Sequence, residues 1–141
     1  MKSSAPLVIL NVLCALLFAV FAWVQYNDTD PAVYDRPSVL DAWLWLAFYA
    51  LISVLFVWIL FKPVAKWILL AAAIACLVEM GRTAPGLWEN LFGEAPFTMT
   101  QISMSASDPR VELTREFFGA LLALAAVVVL WWEAQRSRAR E

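Results

Sequence analysis

The chain contains no histidine. Without imidazole there is no His-ligated haem, no His-based zinc site and no Ser-His or Cys-His catalytic arrangement. Cysteine is scarce too. Cys14 and Cys76 stand far apart in apolar runs and form neither a CxxC redox motif nor a disulfide framework. Charge is the third shortage. Only 16% of the 141 residues are Asp, Glu, Lys or Arg, against roughly 25% in soluble domains, which is too few to clothe a water-facing globule. The net charge is −2. A phosphate-backbone binder needs a basic face, so nucleic acid is excluded as a partner. No internal repeat and no low-complexity stretch is present.

What is abundant is apolar. Hydrophobic residues make up 63% of the chain, with eight Trp and nine Phe. They fall in four runs, at 7–26, 42–61, 64–80 and 112–132, the last helix starting near Pro109. A helix needs about 20 residues to cross roughly 30 Å of hydrocarbon. Lipid leaves only helices or closed barrels as spanning structures, and continuous apolar runs without alternation select helices. The expected fold is an all-α integral membrane protein, with residues 1–141 forming one four-helix transmembrane bundle. The first run is too long for the apolar core of a cleaved leader, and no clean small-residue cleavage site follows it. It is read as a span.

Charge assigns the sides. Lys2, Lys62, Lys66, Arg136, Arg138 and Arg140 share one side with Glu133 and Glu141. Ten acidic residues share the other with Arg36, Arg82, Arg110 and Arg115. The positive-inside rule then places both termini in the cytoplasm, in a plasma or inner membrane, and an even number of spans agrees. Trp43, Trp45 and Trp88 read as anchors at the outer interface, and Trp58, Trp67, Trp131 and Trp132 at the inner one. Phe61-Lys62-Pro63-Val64 forms a tight turn, which predicts that the second and third helices are antiparallel neighbours. Ser38 or Asp41 caps the second helix. The long outer loop between the third and fourth helices carries PGLWENLF, whose Leu87, Trp88, Leu91 and Phe92 would lie on one face of a short interfacial helix.

Polar residues inside the spans carry the functional signal. Asn11 and Gln25 are nearly four full turns apart and form one stripe with Ala15, Phe18 and Ala22. An amide in lipid needs partners, so the stripe faces other helices, either as an interhelical hydrogen bond or as a polar path. On the fourth helix Glu112, Glu116, Gly119, Ala123 and Ala126 share a face, where Gly119 and Ala123 allow another backbone to approach. Glu79 with Arg82, and Glu112 with Arg115, pair at i,i+3. These residues, with Glu116, form an ion-pair network or the wall of a pocket at the outer end. Gln25, Asn27, Asp28 and Asp30 end the first helix and start a turn. Carboxylate and amide oxygens are ligands that hard cations accept, so Asp28, Asp30 and Asp41 could form an oxygen-rich site with Glu112 or Glu116, although no EF-hand spacing is present. A divalent cation is the metal this pattern allows; Cys76 with Met80, Met99 and Met104 offers soft-metal ligands, but at no diagnostic spacing. No other cofactor is evident, and the metal ligands are open.

Two stretches resemble a known family. FAWVQYNDTDP, from Phe21 to Pro31, is similar to the VQxNDPDP signature of the small four-span transmembrane protein 220 family. DPRVELTREFFGALL, from Asp108 to Leu122, is similar to that family's P-x-V-E-x-x-R-E-x-x-G-L end motif. Thr29 stands where the family usually has Pro, and Ala120 precedes Leu121 at the end of the second motif. The resemblance implies an integral membrane protein without assigned chemistry. Its motif positions are Gln25, Asn27, Asp28, Asp30, Pro31, Glu112, Arg115, Glu116 and Gly119.

Three functional classes follow. The first is a non-enzymatic module that binds a partner protein or lipid, including a second copy of the chain. The second binds or carries a cation or small polar solute through the outer polar site. The third is a membrane enzyme on a lipid-like substrate. Paired carboxylates can exchange protons, but no residue is positioned as a nucleophile and no catalytic set is assigned.

Overall fold

The computed structural model describes residues 5–27, 29–31, 34, 37–99 and 108–139, the side chain of Asn27 excepted. Among them are four long helices: α1 (Ala5–Val24), α2 (Val39–Trp58), α3 (Lys66–Phe92) and α4 (Arg110–Arg138). All four are long and apolar enough to cross a membrane. Large apolar residues such as Ile9, Leu16, Leu44, Val54, Ile74, Leu77 and Val128 stand exposed around the bundle, as lipid-facing side chains do.

Local chemistry sets the helix ends. α1 has Pro6 in its first turn, where a missing N–H costs nothing, and a 3-10 turn at Gln25–Asn27 closes it. Ser38 caps α2 by accepting from the Asp41 N–H at 3.3 Å, so α2 begins at Val39 rather than at 42. Pro109 immediately precedes α4, as the sequence indicates. Arg136 and Arg138 occupy the last turn of α4, where cations complement the helix dipole.

α3 departs from expectation. Its 27 residues, about 40 Å of helix, run through Pro85 without a break. PGLWENLF is therefore the last two turns of α3 and not a separate interfacial helix. A proline ring inside a helix crowds the residue four positions earlier. Here that residue is Gly81, which is exposed. Thr83 Oγ1 also donates to the Glu79 carbonyl at 2.7 Å in the same turn.

The helices pack as two antiparallel hairpins, α1 with α2 and α3 with α4, and α2 touches α4 between them. The expected close pairing of α2 with α3 is not what forms. Their short connection fixes direction, but the small buried side chains are elsewhere. Ala72, Cys76, Thr83 and Gly86 of α3 allow close approach to Ala120, Ala123 and Ala126 of α4. At Gly86 a Cβ would collide with Leu113. Between α2 and α3, bulky Leu44, Trp45 and Phe48 leave an apolar groove of about 320 Å³ instead. The first hairpin is aromatic: Phe18 stacks on Phe56 at 6.2 Å, and Tyr49 packs on Phe18, Phe21 and Trp45. Trp45 is 4% exposed, so it is a core residue and not the interfacial anchor expected. Trp43, Trp58, Trp67, Trp88, Trp131 and Trp132 are exposed.

Candidate functional site

The two ends of the bundle differ in charge, and each holds a polar constellation. At the acidic end Arg82 is the hub. Its Nε donates to Glu79 Oε2 at 2.7 Å, and its Nη2 donates to Glu116 Oε2 at 3.0 Å. Asp41 Oδ1 stands 4.0 Å from the same Nη2. One guanidinium therefore ties α2, α3 and α4. The predicted Glu79–Arg82 pair forms, and Glu116 joins it. Asp41, read from the sequence as a cap or as an oxygen ligand beside Glu112 or Glu116, is the fourth member. The helical register explains this: Glu79 and Arg82 lie one turn apart on α3, level with the first turn of α2.

This network walls an open cavity of about 470 Å³. Gln25, Tyr34, Asp41, Trp45, Arg82, Glu112 and Glu116 line it. An adjoining cavity of about 350 Å³ brings in Arg115 and Tyr49. Gln25, Glu79, Arg82, Glu112, Arg115 and Glu116 thus converge from three stretches of sequence. Asp30 is exposed, and its carbonyl accepts from the Tyr34 N–H at 3.0 Å. Asp28 and the side chain of Asn27 lie outside the described residues. Among the described residues no group of three or more His, Cys, Asp or Glu is arranged to hold a metal ion.

Gly119 has a different role from the one its stripe suggests. A Cβ there would collide with the Tyr49 hydroxyl. The glycine makes room for a side chain from α2, not for a backbone. Ala123 is fully buried in the core.

A second set closes the acidic end over the α3–α4 crossing. The buried Asn90 side chain donates to the Thr98 carbonyl at 2.9 Å and to Thr114 Oγ1 at 3.1 Å, and accepts from the Thr98 N–H at 3.1 Å. Arg110 grips Asp108 through Nε at 2.8 Å and Nη2 at 2.7 Å. These hydrogen bonds from the Arg110 guanidinium hold the Asp108 carboxyl below the usual carboxylate range. None of this was legible as a site, because Asn90 and Thr98 pair only through the loop's path.

At the basic end, Asn11 is fully buried and donates from Nδ2 to Glu133 Oε1 at 2.9 Å. The interhelical hydrogen bond expected of Asn11 is therefore present. Its partner was missed, because Glu133 reads as a tail charge among arginines. Extending the α4 stripe by its own spacing, from Ala126 through Leu130, does reach Glu133. Between Asn11 and Gln25 the α1 stripe is Ala15, Phe18 and Ala22, all buried. Its two polar ends are separated by packed apolar side chains.

The family described as "Transmembrane family 220, helix" matches residues 17–132. The chain belongs to this family. The match runs from the middle of α1 to near the end of α4, and so takes in the whole acidic-end network and both motifs. Membership makes the chain an integral, multi-pass membrane protein set in a lipid bilayer. Neither a curated protein nor a solved structure matches it.

Proposed function

We propose that this protein is a non-enzymatic membrane module that binds a lipid with an amine-bearing head group at its acidic end. One observation carries the reading. The 470 Å³ polar cavity and the 320 Å³ apolar groove between α2 and α3 meet at Asp41, Leu44 and Trp45, which line both. A polar chamber joined to an apolar trough suits an amphiphile with its head in the chamber and a chain along the groove. Carboxylates outnumber guanidinium groups on these walls: Asp41, Glu79, Glu112 and Glu116 stand against Arg82. That balance favours a cationic head. The charge bias supports an outward-facing acidic end with cytoplasmic termini. Among the described residues lining the cavity none is a Cys or Lys, and the one serine, Ser38, accepts from the Asp41 N–H, which supports binding over catalysis.

The test is thermal stability in nanodiscs that contain phosphatidylethanolamine or phosphatidylglycerol, with free ethanolamine in detergent as a third arm. Ligand that binds only the folded state raises its melting temperature. Phosphatidylethanolamine should stabilise the wild type over phosphatidylglycerol, and Glu116→Gln should lose that difference. Equal stability in both lipids rules the reading out. Full stabilisation by free ethanolamine or a divalent cation alone would replace it with small-solute binding.

A further inference from the structure

The contact between Asn11 and Glu133 is half satisfied. The Nδ2–H donates to Oε1, but Asn11 Oδ1 and Glu133 Oε2 are buried with no hydrogen-bond partner among the described residues. Both orphans are acceptors, and the contact lacks a donor. An amide supplies donors only from its nitrogen, and an ionised carboxyl supplies none. A buried acceptor without a partner is costly, and an isolated buried carboxylate more so.

Among the described residues the surroundings supply no cation. α1 contains no basic residue, and its sole ionisable side chain is Cys14. The half of α2 from Phe48 to Trp58 contributes no charge. On α3 the nearby cation is Lys66, which is exposed, as is Lys62 in the connection. On α4 itself Arg136 lies over the Trp132 ring at 3.6 Å, and Arg138 donates to the Val64 carbonyl at 2.7 Å. Among the described residues no Lys or Arg reaches Glu133 within 4.0 Å.

We propose that the Asn11–Glu133 pair is a proton-binding site, with the proton held on Glu133 Oε2 and donated to Asn11 Oδ1. Binding the proton adds one O–H bond and removes one charge. It turns two orphan acceptors into the second half of a reciprocal acid–amide pair, in which Nδ2–H meets Oε1 and Oε2–H meets Oδ1. The two planar groups are already joined at one corner, through Nδ2 and Oε1. Asn11 and Glu133 are 0% and 3% exposed, so the space admits a proton and excludes a hydrated ion. The pair links the first and last helices, and loss of the proton would set a bare charge at that junction.

Infrared difference spectroscopy on the reconstituted protein at neutral pH reads the carboxyl directly. The wild type should show a protonated-carboxyl C=O band that Glu133→Gln lacks. Asn11→Leu should shift that band to higher frequency, because the O–H loses its acceptor. Glu133→Gln keeps the shape of the acid and puts an N–H where the O–H stands, so it should fold and melt near the wild-type temperature. Loss of only a carboxylate band in Glu133→Gln overturns the assignment. So does a Glu133→Gln protein that fails to fold or melts far below wild type, since an ionised carboxylate would then be required.

Discussion

The acidic end gathers many charges where water reaches them, and the basic end buries one carboxyl in a dry core. Arg82 and Asp41 are each more than 40% exposed, and Glu116 is 20% exposed. An exposed pair is worth about 0–1 kcal/mol, so the acidic network can be rearranged cheaply by a ligand. At the basic end there is no solvent to share the work, and a single amide decides how α1 meets α4. Number of charges and energetic weight run in opposite directions along this bundle. A tolerant wet end and an exacting dry end suit a module that binds at one end and is held together at the other.

The largest expected effect falls at the junction between the two ends, where Gly119 receives the Tyr49 hydroxyl. Gly119→Leu drives a branched side chain into that space and should separate α2 from α4. Overpacking costs typically about 1–3 kcal/mol and occasionally more. We expect the upper part of this range, read as a large drop in melting temperature in detergent. Gly81→Leu is the control: open space surrounds Gly81, so its melting temperature should stay near wild type. Equal losses from both would mean that the Tyr49 contact does not govern the result.

Next comes the dry end. Asn11→Leu keeps a side chain of similar size but leaves Glu133 Oε1 without its donor and the proton on Oε2 without an acceptor. An unsatisfied buried group costs about 1–3 kcal/mol, and a thermal melt in detergent should show it. Asn11→Gln retains the amide on a longer arm and should recover part of the loss. If Asn11→Leu melts with wild type, the basic end is not the exacting one and the contrast fails.

How far the sequence discloses this contrast depends on the range of each contact. Four spans, the Glu79–Arg82 pair and the inward face of Asn11 follow from periodicity and from the expense of polar groups in lipid. Glu116 is found by the α4 stripe. The continuation of α3 through Pro85 is not found, because proline reads as a helix breaker. Helix pairing is hidden too, since loop length gives direction while small residues choose the partner. Trp45 looks like its neighbour Trp43, and only its place on the helix face of Tyr49 and Phe48, whose rings it packs against, takes it inside. Glu133 is concealed by the arginines that follow it, although its spacing from Ala126 places it on the buried stripe.

Third in size is the wet end. Glu116→Gln leaves Arg82 with Glu79 at 2.7 Å and with Asp41. For a partly exposed pair the loss should be about 0.5–1 kcal/mol, below that of Asn11→Leu. The two substitutions share no partner and lie at opposite ends, so their effects should add within about 0.5 kcal/mol. A double variant measured by the same melt checks this. Strong coupling would mean that the ends communicate through the packed stripe of Ala15, Phe18 and Ala22.

The smallest effect concerns Asp108 and Arg110, outside the cavity but at the same wet end. Hydrogen bonds from Arg110 hold the Asp108 carboxyl below its ordinary range in the folded protein. An unfolded Asp titrates near about 3.9. Because the folded value is the lower one, the unfolded chain takes up the proton first as pH falls. The stabilisation is therefore complete well above the ordinary Asp value, and fades as pH drops through it towards the folded value. Asp108→Asn removes the titrating group and keeps its shape. The melting temperatures of wild type and Asp108→Asn should differ slightly at pH 7, with wild type higher, and converge as the pH is lowered below about 4. Raising the salt at pH 7 should shrink the same gap, because this pair is screened. A gap that stays constant across pH would assign the effect of Asp108 to its fit against the start of α4 and remove charge from the account of this contact.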